Sequence, residues 1–196
     1  WQFGANHVGH FVLGVGLMDL MAKANGARLV TLSSRAHRMS GIRFDDIHFT
    51  RDPYEKWTAY GQSKTAQSLF AIGVNVRMQE RGIEAFSVHP GGIFTPLQRH
   101  LPNQEMSALG WTDETGAPSE RAAKLFKTPA QGATTSLWCA TSPMLSGKGG
   151  VYCEDCDIAT LVSDDDNGVS GVRGWAVDEG AADKLWDATE RLLAKA

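Results

Sequence analysis

Tyr60-Gly61-Gln62-Ser63-Lys64 sets a phenol and an ammonium four residues apart. On a helix, that spacing puts both side chains on one face, a turn apart. A phenol with a reference pKa of about 10 is a poor base at neutral pH, and a neighbouring ammonium lowers that pKa by favouring phenolate. A phenol tuned in this way moves a proton to or from a carbonyl or alcohol oxygen. Read alone, the spacing fits an ordinary helix pair equally well. Ser33-Ser34 closes a short apolar run, and a serine hydroxyl at a strand end can donate to a substrate oxygen or simply serve the turn. His89-Pro90-Gly91-Gly92-Ile93-Phe94-Thr95 follows a second apolar run. Its glycines allow close backbone approach to a ligand, and Thr95 can bond an amide or a phosphate; a plain strand-to-loop turn is the alternative. Asn6 lies early in the first helical stretch, where a surface or capping asparagine is also expected.

Other chemistry-bearing residues group less well. Cys153-Glu154-Asp155-Cys156 has metal-ligand spacing, shared with redox motifs, but no second cysteine pair or histidine pair completes a tetrahedral zinc site. His7 and His10, beside Phe11, read as structural. Asp164-Asp165-Asp166 reads as a solvated loop, with calcium binding as the remote alternative. No metal site is assigned.

The elements that must position these residues follow from periodicity and punctuation. Residues from about Phe3 to Lys23 read as a helix with Val8, Phe11, Val12, Val15, Met18 and Leu20 as its apolar positions, ended by Asn25-Gly26. Arg28 to Ser33 suits a buried parallel strand. A polar irregular stretch from Ser34 to Pro53 leads to a long helix from about Tyr54 to Arg81. Ile83 to Val88 is a second buried strand. Ile93 to Pro118 reads as a loop with short helical turns, and Ser119 or Thr128 opens helices. Thr128-Pro129-Ala130-Gln131 combines an N-cap, a first-turn proline and a capping-box glutamine, for a helix reaching about Thr141. Gly149 to Tyr152 is a third strand, Ser163 to Gly174 an exposed loop, and a last helix starts near Asp178 with Ala182, Leu185, Trp186, Leu192 and Leu193 inward. Alternating helices and strands imply an α/β fold with a parallel sheet. No repeat or inter-domain linker is visible.

The 196 residues suffice for one domain with a hydrophobic core. A net charge of -3 gives no electrostatic reason to expect nucleic acid or an anionic membrane as a partner. No apolar run approaches a membrane span. Three cysteines argue against a disulfide framework and for reduced thiols, hence a cytoplasmic location. The chain begins Trp-Gln-Phe-Gly, without an initiator Met or a preceding strand, which reads as the interior of a larger protein.

Taken together, Phe3 to Phe11, Arg28 to His37, Ala59 to Lys64 and Val88 to Thr95 resemble the short-chain dehydrogenase/reductase family, and more narrowly its retinol-dehydrogenase-like branch. The gap between Ser34 and Tyr60, with Gly41 to Ile47 inside it, is also similar to that branch. The resemblance implies the C-terminal portion of a doubly wound, Rossmann-type parallel sheet with flanking helices, with residues 1–196 as the catalytic portion of a single domain. It implies Tyr60 as acid/base, and Lys64 as the group that lowers its pKa and holds the nicotinamide ribose of NAD or NADP. Ser34 would orient the substrate oxygen, since Ser33 faces the other way on an alternating strand. Asn6 would support a water-linked proton path toward Lys64, and Pro90, Gly91, Ile93 and Thr95 would line the nicotinamide. The family's glycine-rich turn after its first strand, its residue selecting NAD or NADP, and its Asn-Ala-Gly segment are not in this sequence. The implied reaction interconverts an alcohol and a carbonyl, and Leu97, Leu101, Met106, Leu109 and Trp111 suggest a lipophilic substrate. A catalytically silent fragment or binding module of the same fold is the competing reading. In the family, the helices matching the first and long helices often pack between subunits. Gly9, Gly14, Gly61 and Gly73 leave room for such packing in a homo-oligomer.

Overall fold

The computed structural model describes residues 1–24 and 26–195. Its sheet is built on β2, Ile83–His89, which pairs in parallel with β1, Ala27–Leu32, on one edge and with β3, Tyr152–Glu154, on the other. Ala27 lies opposite Ile83, and the register runs on to Leu32 opposite Val88. A strand flanked on both edges and both faces must be largely apolar, and Ile83, Ala85, Phe86 and Val88 are all fully buried. Alternation sorts them. Ile83 and Ala85 pack with Phe70, Val74 and Trp186, whereas Phe86 and Val88 pack with Cys139, Leu145 and Cys153. Helices α1 (Gly9–Met21), α2 (Lys56–Met78) and α6 (Glu179–Leu193) therefore cover one face, and α5 (Pro129–Thr141) the other. This is the α/β architecture expected, with helices on both faces of a parallel sheet.

The helix α2 is the central support. Every residue from Thr65 to Val74 is buried, because the sheet, α1 and α6 surround it. Polar groups inside it are paired: the Thr31 hydroxyl donates to the Gln67 carbonyl at 2.9 Å, and the Ser68 and Ser87 hydroxyls lie 3.1 Å apart. Glu55 caps the helix, its carboxylate accepting from the Trp57 and Thr58 amides, so the helix starts at Lys56 rather than Tyr54. The capping box read at Thr128 and Gln131 is present.

Several expectations need correction. The first helix buries Phe11 and Met18, while Val12, Val15 and Leu20 are 49%, 36% and 64% exposed. An almost uniformly apolar helix carries no periodicity to select its inner face. Asn25, half of the stop read there, lies outside the described residues. The third strand begins at Tyr152 because Gly147 and Gly150 adopt positive φ values of 77° and 87°. A two-residue turn, Asp155 and Cys156 with φ of 51° and 59°, leads to antiparallel β4, Asp157–Ile158. The presumed exposed loop from Ser163 holds a buried strand. Here β6, Val172–Arg173, pairs with β5, Leu161–Val162, and Arg38 binds the carbonyls of Asp166, Gly168 and Ser170. Asp166 also pairs with Arg38 rather than standing solvated. Finally, three glycines read as oligomer contacts are used inside the chain. A Cβ on Gly14 would meet Phe70, one on Gly73 would meet Trp186, and one on Gly61 would meet Ala36.

Candidate active site

Ser34 follows β1 at the carboxyl edge of the sheet. Its extended backbone opens the helical turn Arg35–Met39, and its hydroxyl accepts from the Ala36 amide at 3.1 Å. Ser33 points the opposite way and donates to the Lys64 carbonyl at 2.8 Å, as strand alternation requires. Tyr60 and Lys64 stand in the second and third turns of α2. The Lys64 ammonium is 5.6 Å from the centre of the Tyr60 ring and donates to the Leu32 carbonyl at 3.0 Å, joining the helix to the end of β1.

The electrostatics differ from the sequence expectation. Burial raises the Tyr60 pKa above its ordinary value, and an interaction with the Ser34 hydroxyl lowers it in part. Burial also lowers the Lys64 pKa. Desolvation is the largest influence on Tyr60, and the Lys64 ammonium is directed at a backbone carbonyl. The phenol is held protonated at neutral pH.

Asn6 lies in a single π-helical turn, Gly4–Val8, a distortion frequent at functional sites. Its amide donates to the Ser63 hydroxyl at 3.0 Å, which in turn donates to the Tyr60 carbonyl at 2.8 Å. Its own carbonyl accepts from the Gln67 side chain. Among the described residues, the path through Ser63 ends on the Tyr60 carbonyl, while the Lys64 ammonium donates to Leu32.

The Pro90–Thr95 turn follows β2 at the same edge. Gly91 has φ of 92°, a conformation that favours glycine, and the ring of Phe126 leaves no space for a Cβ on Gly92. The Ile93 side chain fills the space above Gly132, and the Lys127 amide donates to the Gly92 carbonyl at 2.8 Å. Thr95 directs its side chain to a local task. It caps the turn Pro96–His100 in a capping box with Gln98.

Two histidines that sequence reasoning missed hold these loops together. The His89 Nδ1 accepts from the Arg35 amide at 3.3 Å and the Gly91 amide at 3.4 Å, linking the Ser34 loop to the Pro90 turn. The His37 Nε2 accepts from the Arg173 amide at 3.1 Å, which places its proton on Nδ1, directed at the Ser34 carbonyl 2.8 Å away. Burial pushes both pKa values down to about 4, so both rings are neutral. The signal was weak: His37 and His89 adjoin the Ser34 and Pro90 stretches, but nothing local names their partners. His7 is structural as expected, buried and paired with Thr189 at 2.9 Å. Cys153 and Cys156 part company, the first buried in the core and the second on the β3–β4 turn beside Thr135.

Gly61 offers a test of this arrangement. A Cβ there would sit 2.7 Å from the Ala36 carbonyl oxygen and 2.9 Å from the Met39 Cβ. Alanine gains about 1 kcal/mol in helix propensity, but collision with backbone that cannot turn aside costs about 1–3 kcal/mol. Gly61→Ala is expected to lower Tm in a circular-dichroism melt and to weaken the Ser34–Tyr60 approach. A raised Tm would contradict the packing described.

No family model matches the chain. It is 44% identical over 186 residues to a Streptomyces lividans protein named "Probable oxidoreductase", a match covering 95% of this chain and 62% of that protein. It is 32% identical over 197 residues to Retinol dehydrogenase 14 of Homo sapiens, covering 98% of this chain and 52% of the relative. The chain thus spans between about half and 62% of these relatives' lengths. The solved short chain dehydrogenase of Salmonella enterica serovar Typhi shares its fold, with a TM-score of 0.53 and 24% identity over 78% of this chain and 50% of that one. The Ser34, Tyr60 and Pro90 stretches meet at one sheet edge, and proteins named as oxidoreductase, short-chain dehydrogenase/reductase and retinol dehydrogenase align along 95–98% of this chain: its relatives are short-chain dehydrogenases/reductases.

Proposed function

We propose that residues 1–196 form the C-terminal catalytic portion of a single-domain NAD- or NADP-dependent oxidoreductase that interconverts an alcohol and a carbonyl. The observation that carries this reading is the meeting of Ser34, Tyr60 and Lys64 at the carboxyl ends of β1 and β2, where open α/β sheets bind ligands. The residues fit the nicotinamide end of the cofactor. One Lys64 N–H is directed at Leu32, and the remaining donors suit a ribose diol. When bound, the cofactor supplies hydride chemistry. Ser34 orients the substrate oxygen, and Tyr60 donates its proton to that oxygen in reduction or accepts one in oxidation. Half-buried Leu101, Met106, Leu109 and Trp111 support an apolar substrate, whereas Leu97 is 71% exposed and does not. No helix among the described residues is long and apolar enough to cross a membrane.

The pKa directions make the reading testable. A protonated phenol is ready to donate, so carbonyl reduction is expected to stay level through neutral pH and fall only in the alkaline range. Alcohol oxidation needs the deprotonated phenol, so its rate is expected to rise with pH. Initial rates in both directions, with each nicotinamide cofactor, check this; identical pH responses in the two directions would count against Tyr60. A silent module of the same fold is the competing reading. Titration with NADH and NADPH separates the two, since binding accompanied by turnover supports the enzyme and failure of both supports the silent module.

A further inference from the structure

Trp57 stands three residues before Tyr60 on the same face of α2, with ring centres 6.1 Å apart and planes crossing at 76°. It is half-buried, and its indole N–H donates to Glu105 Oε1 at 2.9 Å. The other carboxylate oxygen of Glu105 accepts from the Lys56 ammonium at 2.5 Å. Glu105 belongs to α3, Asn103–Ala108, in the segment between the Pro90 turn and α5. Its carboxyl is held below the ordinary range, first by the Lys56 hydrogen bond.

Further rings continue from Trp57. Trp111 crosses it at 6.4 Å, Phe126 lies 5.9 Å from Trp111, and Phe94 lies 4.6 Å from Phe126. All are half-buried, and none belongs to the buried hydrophobic clusters of the core. A contiguous rank of aromatic side chains outside the core, starting beside the proton donor, is the composition of a ligand wall rather than of a packing core. The Glu105 bond immobilises the indole before any ligand arrives, so less freedom is lost on binding.

We propose that Trp57, fixed by Glu105, is a specificity-determining residue that selects a flat apolar ring attached to the carbon being oxidised or reduced. This rests on Tyr60 as the acid/base: a carbonyl oxygen held by Tyr60 and Ser34 brings its substituents beside the side chain one turn away. A flat ring gains aromatic edge or face contact there, which a puckered ring of similar size does not.

Acetophenone and cyclohexyl methyl ketone form a matched pair for the test. The protein, supplied with reduced cofactor, is expected to favour acetophenone in kcat/KM by roughly three- to tenfold. Trp57→Leu is expected to bring that ratio near one. Glu105→Ala should lower it, and Glu105→Gln, which keeps an acceptor for the indole, should restore most of it. A ratio near one in the unaltered protein overturns the proposal without reference to any variant, as does an unchanged ratio in folded Trp57→Leu. Saturation-transfer NMR with the same two ketones reads binding without turnover. The aromatic preference is expected there too, also in Tyr60→Phe, and its absence overturns the proposal. Full turnover in Tyr60→Phe would instead overturn the acid/base assignment, so the two failures are distinct.

Discussion

Tyr60→Phe is expected to lower kcat by about 10²- to 10⁴-fold with little change in KM, the range spanned by loss of a positioned proton donor. No other group at the site can take over. The Ser34 hydroxyl already accepts from the Ala36 amide, and a serine is a far weaker acid than a phenol. Lys64 directs its ammonium at the Leu32 carbonyl. The substitution removes one oxygen and keeps the ring, so its contact with Trp57 is retained and the change in stability should stay within about 1 kcal/mol. Rates in both directions, paired with a thermal melt, separate loss of chemistry from loss of fold. Near-unaltered turnover in a folded variant would sink the assignment.

Acid is expected to unfold the protein through its buried histidines. His37 and His89 have pKa values pushed down to about 4, and His7 to about 3, against an ordinary value of about 6.5. All three are neutral in the folded chain and gain protons more readily when unfolded. Their contribution is therefore complete above about pH 6.5 and is lost as pH falls toward 4. For His37 alone the loss is about 3 kcal/mol at pH 4, a large part of a typical domain's stability. It also falls at a functional point, because a charged ring no longer accepts from the Arg173 amide and releases the turn led by Ser34. Urea unfolding at a series of pH values should show falling stability from pH 6.5 downward. His37→Gln should make the decline shallower while lowering stability at neutral pH. An unchanged slope would remove His37 from this role.

The sequence by itself determined what depends on near neighbours. The parallel strands around Val30 and Phe86, the cap at Thr128, and the order of the Ser34, Tyr60 and Pro90 segments were legible because periodicity, capping and turn chemistry act over a few residues, although the first strand is only half-buried and Leu32 is exposed. The resemblance to the family followed from that order. Tertiary structure decided what depends on distant partners. Val12 and Leu20 face outward because the inner face of a uniformly apolar helix is chosen by what packs against it. The Tyr60 pKa moves upward because burial, invisible in a four-residue spacing, outweighs the Ser34 hydrogen bond. Trp57 meets Glu105 across 48 residues and His37 meets Arg173 across 136. Such pairings form only when the sheet brings remote segments to one edge, so no local pattern announces them. The candidate proton-transfer residues could be named from the sequence; what orients them, keeps Tyr60 protonated and shapes the space beside it is a property of the fold.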